Sequence, residues 1–338
     1  MPSTLAIEQR NRMPIERINR NAAQHGTATA RVSFEEAVNH LRLFTCPSLA
    51  PLAHTAIFAE LTTAQQRRYN QLMGLLQNEI IGFFEQEIGE PVTTALLRET
   101  LPPELAEALR HFQAEERQHT HMFRRLNQLA ESRWYATSDY HVLQLPVPVL
   151  FWLRQITARP RLFPLLIWLM LLMEERSLMM SKRYVALGES LPDALIDALP
   201  DALPDALIDA QFLAAYRAHA EDEIRHVQLD WHLLETFYQA RPAWVRRVNA
   251  GLLEKLLTGL LLAPKRSNVR VIELLIAEFP DLQTMRPRLL QALAGLSDNA
   301  GYRQMMYSTE AVPISRALFE RLPEFARLHR RLFAEGGL

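Results

Sequence analysis

Glu-x-x-His occurs twice in the chain, as Glu116-Arg-Gln-His119 and as Glu223-Ile-Arg-His226. A Glu and a His three residues apart on a helix lie about one turn apart on the same face, so both can reach one ion. Carboxylate with imidazole is a donor set for iron, manganese or zinc. One such pair arises readily by chance; two on separate long helices point to a shared centre. Helical bundles that hold two metal ions with carboxylates take a Glu-x-x-His from each of two helices and a Glu from each of two others. The other two helices are also visible. One carries Glu79, Glu85 and Glu87 among Ile, Leu and Phe. Another carries Glu174 and Glu175 directly after the apolar run Leu165–Met173, where a carboxylate is costly to bury unless paired or bound to metal. His219 adds a third imidazole, because His219, Glu223 and His226 follow one helical stripe. His111 and His121 read as groups outside the ligand set, and Met170, Met173, Met179 and Met180 as core filling.

The elements that must position these residues are helices. Ala, Leu, Glu, Gln and Arg dominate, there are 11 glycines in 338 residues, and no stretch alternates like a strand. A helix is expected from Thr63 to Glu87, capped by Thr62 or Thr63 and stopped by Gly89 and Pro91. A second starts at Pro102-Pro103-Glu104 and runs to Arg133, a third spans Pro164–Leu187, and a fourth spans Asp209–Gln239. Val142–Pro148 reads as a buried linker. Ser33-Phe-Glu-Glu36 has the form of a capping box. Val245–Leu262, Ile272–Phe279, Pro287–Leu296 and Ile314–Phe333 read as further helices that cover the bundle or form a dimer surface. Residues 1–30 read as a flexible arm. Residues 31–338 read as one helical domain, with the ligand bundle over 63–240 and covering helices over 241–338. Leu-Pro-Asp-Ala-Leu-Ile-Asp-Ala stands at Leu191–Ala198 and again at Leu203–Ala210, which reads as slack in a connection. The expected fold is all-α: a ferritin-like four-helix bundle with additional C-terminal helices.

Composition bounds the partners. Net charge is −1, which does not suggest nucleic acid or an anionic membrane. Cys46 is the only cysteine, so neither a disulfide framework nor a thiolate cluster can form within the chain. The first 21 residues lack the apolar stretch of a secretory signal, and the longest apolar run, Leu162–Met173, contains Pro164 and is shorter than the roughly 20 residues a bilayer needs. The cytoplasm is the expected location.

At the metal-binding pattern the chain resembles the p-aminobenzoate N-oxygenase family of non-haem di-iron proteins, over about Tyr69–Asp230. The family's first helix carries Asn-Glu, five residues, then a ligand Glu followed by Gln; Asn78-Glu79-Ile-Ile-Gly-Phe-Phe-Glu85-Gln86 has that spacing. An acidic residue followed by Glu-x-x-His is matched by Glu115-Glu116-Arg-Gln-His119. His-x-x-Asp-Glu-x-x-His is matched without a gap by His219-Ala-Glu-Asp222-Glu223-Ile-Arg-His226. Glu175-Arg-Ser-Leu resembles the family's third ligand segment, with Glu174 as the alternative.

The resemblance implies seven ligands, Glu85, Glu116, His119, Glu175, His219, Glu223 and His226, with Glu79 and Glu174 as alternatives. It implies two iron ions, with manganese in place of one iron also compatible, and O2 as co-substrate. The implied substrate is a small amine, an aryl amine or an amino acid, free or carried on a protein. Reducing equivalents are expected from an external donor, since no flavin or nicotinamide motif is visible. A homodimer is expected. Helical offsets from the ligands suggest Phe83, Phe84, Phe112, Leu178, Phe212 and Tyr216 as substrate-pocket walls. A hydroxylase or desaturase acting on carbon, or a non-catalytic iron-binding bundle, would use a similar pattern.

Overall fold

A computed structural model of the chain describes residues 12–34, 36–189, 208–258 and 266–333. Among the described residues the fold is all-helical, apart from an isolated bridge between Leu43 and Ile208. The long helices are α2 (Thr63–Phe84), α4 (Pro103–Ala130), α6 (Leu165–Glu189) and α7 (Ala210–Leu233).

Three of them begin for a local reason. Thr62 opens α2 with a reciprocal cap: its hydroxyl accepts from Gln65 N and its own N–H donates to the Gln65 side chain. Pro103 opens α4, where a missing N–H costs nothing. Asp209 caps α7 by accepting from Gln211 N and Phe212 N, and it also accepts from Asn39 N. The most extensive helix pairing is α6 on α7; α2 packs on α4, and α4 on α7. Gly74 of α2 lets the segment before α2 pass close, because a Cβ there would stand 2.6 Å from Phe44 Cβ and 2.9 Å from its carbonyl carbon.

Gly89 and Pro91 do not end the first long helix. It widens into a π turn over Glu85–Gly89 and continues as α3 (Glu90–Leu97). Glu90 N–H bonds to Glu85 O, five residues back, and Pro91, with no N–H to place, follows directly. A second π turn, Leu234–Gln239, follows α7.

Three other expectations differ from what is found, and a fourth lies outside the described residues. Part of the N-terminal arm is a helix, α1 (Ile15–His25), which packs on α4 and α7; Met1–Asn11 lie outside the described residues. Its apolar stripe, Ile18 and Ala22, is buried. Ser33 and Glu36 do not start a helix, and short 3-10 turns from Pro47 to Glu60 lead into α2 instead. Only part of the expected linker is buried: Val142 is, but Val147 and Pro148 are exposed and open α5 (Val147–Thr157). The repeat 191–210 falls outside the described residues except for Ile208–Ala210.

The C-terminal third forms α8 (Ala243–Leu256), α9 (Arg266–Glu278), α10 (Arg286–Ala294), α11 (Ala300–Tyr307), α12 (Pro313–Arg321) and α13 (Ala326–Phe333). The expected helix 314–333 is thus two, broken at Pro323, and α11 was not anticipated. Trp168 of α6 joins this layer to the long helices, packing against Tyr238, Phe319 and Phe325 with ring centroids 4.7–5.4 Å apart. No helix among the described residues is long and apolar enough to cross a membrane.

Candidate metal centre

The four long helices turn ionisable side chains inward toward one another, and Asp230 of α7 is also fully buried, with neither oxygen partnered. α4 presents Glu116 and His119, α7 presents His219, Glu223 and His226, the π turn after α2 presents Glu85, and α6 presents Glu174. None of the seven is more than 3% exposed. Such a density of buried ionisable groups is unfavourable unless they are paired or bind an ion.

Two overlapping groups of four have atoms close enough to share an ion. One is Glu85, His119, His219 and Glu223; the other is Glu116, His119, Glu223 and His226. His119 Nδ1 lies 3.5 Å from Glu85 Oε1, 3.4 Å from Glu116 Oε1 and 3.7 Å from Glu223 Oε1. His219 Nε2 is 2.6 Å from Glu223 Oε1 and 3.6 Å from Glu85 Oε1. His226 Nδ1 is 3.0 Å from Glu116 Oε1 and 3.8 Å from both Glu174 Oε2 and Glu223 Oε2.

Proximity here is not hydrogen bonding. Both Glu116 oxygens, Glu223 Oε2, His119 Nδ1, His219 Nε2 and His226 Nδ1 are buried without a hydrogen-bond partner. Their lone pairs meet at common points rather than pairing with one another, which fits a bound cation. The buried Glu/His groups could therefore hold metal.

The outer nitrogens of the same histidines are partnered. His119 Nε2 lies 3.1 Å from Asp222 Oδ2, and His226 Nε2 lies 2.8 Å from Glu115 Oε2. With Nε2–H donating outward, Nδ1 of each ring turns its lone pair to the cluster. The arrangement is reciprocal: Asp222 of α7 orients a histidine of α4, and Glu115 of α4 orients a histidine of α7. Arg225 Nη2 joins the two carboxylates, at 2.6 Å from Glu115 and 2.7 Å from Asp222. Ala28 N and Thr29 N also donate to Asp222, so the N-terminal segment helps hold the site. The Ser177 and Ser181 hydroxyls stand 3.4 Å from His219 Nδ1. Thr120 donates to Glu85 Oε2 at 2.9 Å.

The electrostatics follow from this packing. Burial, then the neighbouring Glu116, pushes Glu85 up to about 8. Burial would raise Glu116 as well, but His226 and His119 hold it down to about 2. Burial and Glu174 raise Glu223. Burial disfavours charge on His119 and His226, yet their carboxylate neighbours raise both, whereas burial and those two imidazoles lower His219.

Glu175, expected as a ligand, and Glu79, expected as an alternative, lie outside both groups of donors. Adjacent residues on a helix point about 100° apart, and it is Glu174 that faces His226. Glu175 turns away to cap α12, accepting from Ile314 N and, at 3.0 Å, from Ser315 N. Glu79 is fully engaged, accepting from the Tyr135 hydroxyl and from His141, Val142 and Leu143 N. It anchors the chain between α4 and α5. Arg117 pairs with Glu90 rather than with the cluster.

A cavity of about 280 Å³ reaches Glu85 and Glu116 and is lined by Gln86, Glu90, Arg117, Thr120, His121 and Arg124. None of the six suggested pocket walls lines it. Phe112 packs on His226, Phe212 stacks on Phe44, Tyr216 stacks on Tyr184, and Phe83 meets Tyr140. Phe84 is buried in the core, and Leu178 lines a separate groove between α6, α7 and α12. Helical offset from a ligand does not tell which neighbouring helix fills the space. His121 lines the cavity and is exposed, outside both groups of donors.

No protein-family model and no curated protein matches this chain. The site must be read on its own chemistry. The acidic residue before each Glu-x-x-His was the one sequence signal for the orienting carboxylates Glu115 and Asp222.

Proposed function

We propose that the protein is an oxygen-dependent di-iron oxidoreductase on a ferritin-like bundle, and that it oxidises the nitrogen of a small amine. The observation that carries this reading is the set of six buried, unpartnered donor atoms on Glu116, His119, His219, Glu223 and His226, facing one another between helices. Glu85, His119, His219 and Glu223 would hold one ion, and Glu116, Glu223 and His226, with Glu174 beside His226, would hold the other. Two ferrous ions there would supply electrons to dioxygen.

The chain's own residues hold that chemistry in place. Asp222 and Glu115 fix the imidazole tautomers, and Thr120 fixes one oxygen of Glu85. The apolar shell, with Phe112 and Phe123 rings against His226 and His219, limits water. The cavity beside Glu85 and Glu116 offers a route for the amine. Nitrogen rather than carbon as the oxidised atom rests on the resemblance carried by His219, Asp222, Glu223 and His226 in the sequence. The balance is one oxygen atom into an N–H bond, giving a hydroxylamine; the other leaves as water, with two electrons and two protons from an external donor.

The test is anaerobic ferrous loading followed by O2, a chemical reductant and a panel of aryl and amino-acid amines. Two irons per chain and an amine-dependent product heavier by one oxygen are expected. Fewer than two bound ions, or oxygen uptake indifferent to amines, overturns the proposal; a hydroxylated or desaturated carbon product assigns the site to the other chemistry.

A further inference from the structure

The large apolar side chains left in solvent are concentrated rather than scattered. Phe151 and Trp152 of α5, Leu162 of the turn after it, and Trp244, Val248 and Leu252 of α8 are all between 40% and 68% exposed. Helix α8 has two apolar faces. Asn249, Ala250 and Leu253 are buried, while Trp244, Val248 and Leu252, four residues apart, form an outward stripe. The core of the molecule has no use for that stripe.

One tie point joins α8 to the turn after α5, and a second joins α9 to the segment before α5. Asn249 of α8 donates to Leu162 O and accepts from Leu165 N, both just after α5. At the other end, Gln144 N, just before α5, donates to Ser267 Oγ, eleven residues past the end of α8. The segments flanking α5 are thus held to α8 on one side and to α9 on the other.

Charge on this flank is one-sided. Residues 144–163 contain Arg154, Arg159 and Arg161 and no acid. Residues 241–256 contain Arg241, Arg246, Arg247 and Lys255 and a single acid, Glu254, which Arg327 and Arg331 already engage; Arg246 pairs with Glu324, which leaves Arg247 and Lys255 as the exposed cations of α8. Arg154 and Arg161 pair with Glu87 and Glu99 but remain 68% and 61% exposed, and exposed pairs compete poorly with a multivalent anionic surface. The whole-chain charge of −1 conceals this concentration.

We propose that the α5–α8 flank docks on an anionic phospholipid surface, with the protein lying on one leaflet. Tryptophan and phenylalanine beside arginine is the composition of helices that rest at a bilayer interface: rings enter the headgroup boundary and cations meet lipid phosphates. A second copy of the chain would bring like charges face to face; an anionic lipid surface neutralises them.

The full chain is mixed with vesicles of phosphatidylcholine alone or with phosphatidylglycerol, and sedimented. Binding to the anionic vesicles is expected, weaker at high salt, with a blue shift of tryptophan emission. Phe151→Ser with Trp152→Ser, or Trp244→Ser alone, lowers partitioning by roughly tenfold or more, as loss of a buried aromatic predicts. Arg247→Glu with Lys255→Glu lowers it only on anionic vesicles. All these side chains are exposed, so unchanged melting curves show that the variants fold. Failure of the parent to bind anionic vesicles, or equal binding by the variants, overturns the proposal. So does a dimer in sedimentation velocity that Trp244→Glu dissociates and that leaves vesicles untouched.

Discussion

The carboxylate of Glu115 on α4 lies 2.8 Å from Nε2 of His226 on α7. The pair locks the imidazole so that Nδ1 faces Glu116, Glu174 and Glu223. Orienting contacts of this kind set ligand geometry and basicity, and losing one typically weakens metal binding about 10–100-fold. Glu115→Gln and Asp222→Asn should each weaken binding of the ion on the corresponding histidine within that range, measured by competition with a chelator. Both variants should keep the parent's helical circular dichroism. Full affinity in both would show that the outer carboxylates do not tune the site.

Glu174 and Glu175 should separate cleanly. Glu174→Ala should lower bound metal from two ions toward one by elemental analysis. Glu175→Ala should leave two ions bound but deprive Ile314 and Ser315 of their acceptor, costing about 1–3 kcal/mol in denaturant unfolding. The reverse outcome would place Glu175 in the metal set.

Metal uptake should rise with pH. Glu85, pushed up to about 8, and the raised His119 and His226 must all lose protons before they can ligate. Loading at pH 6 should therefore be weaker than at pH 8.5 and should release protons, detectable with a pH indicator.

The same shifts set the stability of metal-stripped protein. Glu85 binds its proton more tightly when folded, so folding is favoured below the ordinary 4.5 and that advantage is lost as pH rises toward about 8. Glu175 acts in the same direction between 4.5 and about 7. His119 and His226, also raised, contribute stability below 6.5 that is lost above it. Melting temperature of the stripped protein should fall from pH 5 to pH 8, less steeply in Glu85→Gln. A decline of unchanged slope in that variant would remove Glu85 from the cause.

Gly74→Ala should destabilise by about 1–3 kcal/mol, because its Cβ would meet Phe44 backbone that cannot step aside without moving the segment before α2. A neutral effect in denaturant unfolding would mean that segment is free to shift.

The sequence by itself determined the helical class, the starts of the long helices and the histidines of the cluster. Those features are periodic or local: a cap, a proline, a Glu and a His one turn apart. Choosing between Glu174 and Glu175 was beyond it, because neighbours on one helix differ only in which other helix they face, and that depends on how α6 rotates against α7 and α12. Which residues wall a pocket depends on the same rotation. The π turn at Glu85, which packs on α4 and α5, has no periodic signal along the chain, and α1 was hidden because so short a helix is stable only against α4 and α7. Tertiary structure alone decided that Asp222 and Glu115 cross between helices to orient each other's histidines, since no spacing along one chain encodes a contact between two distant segments.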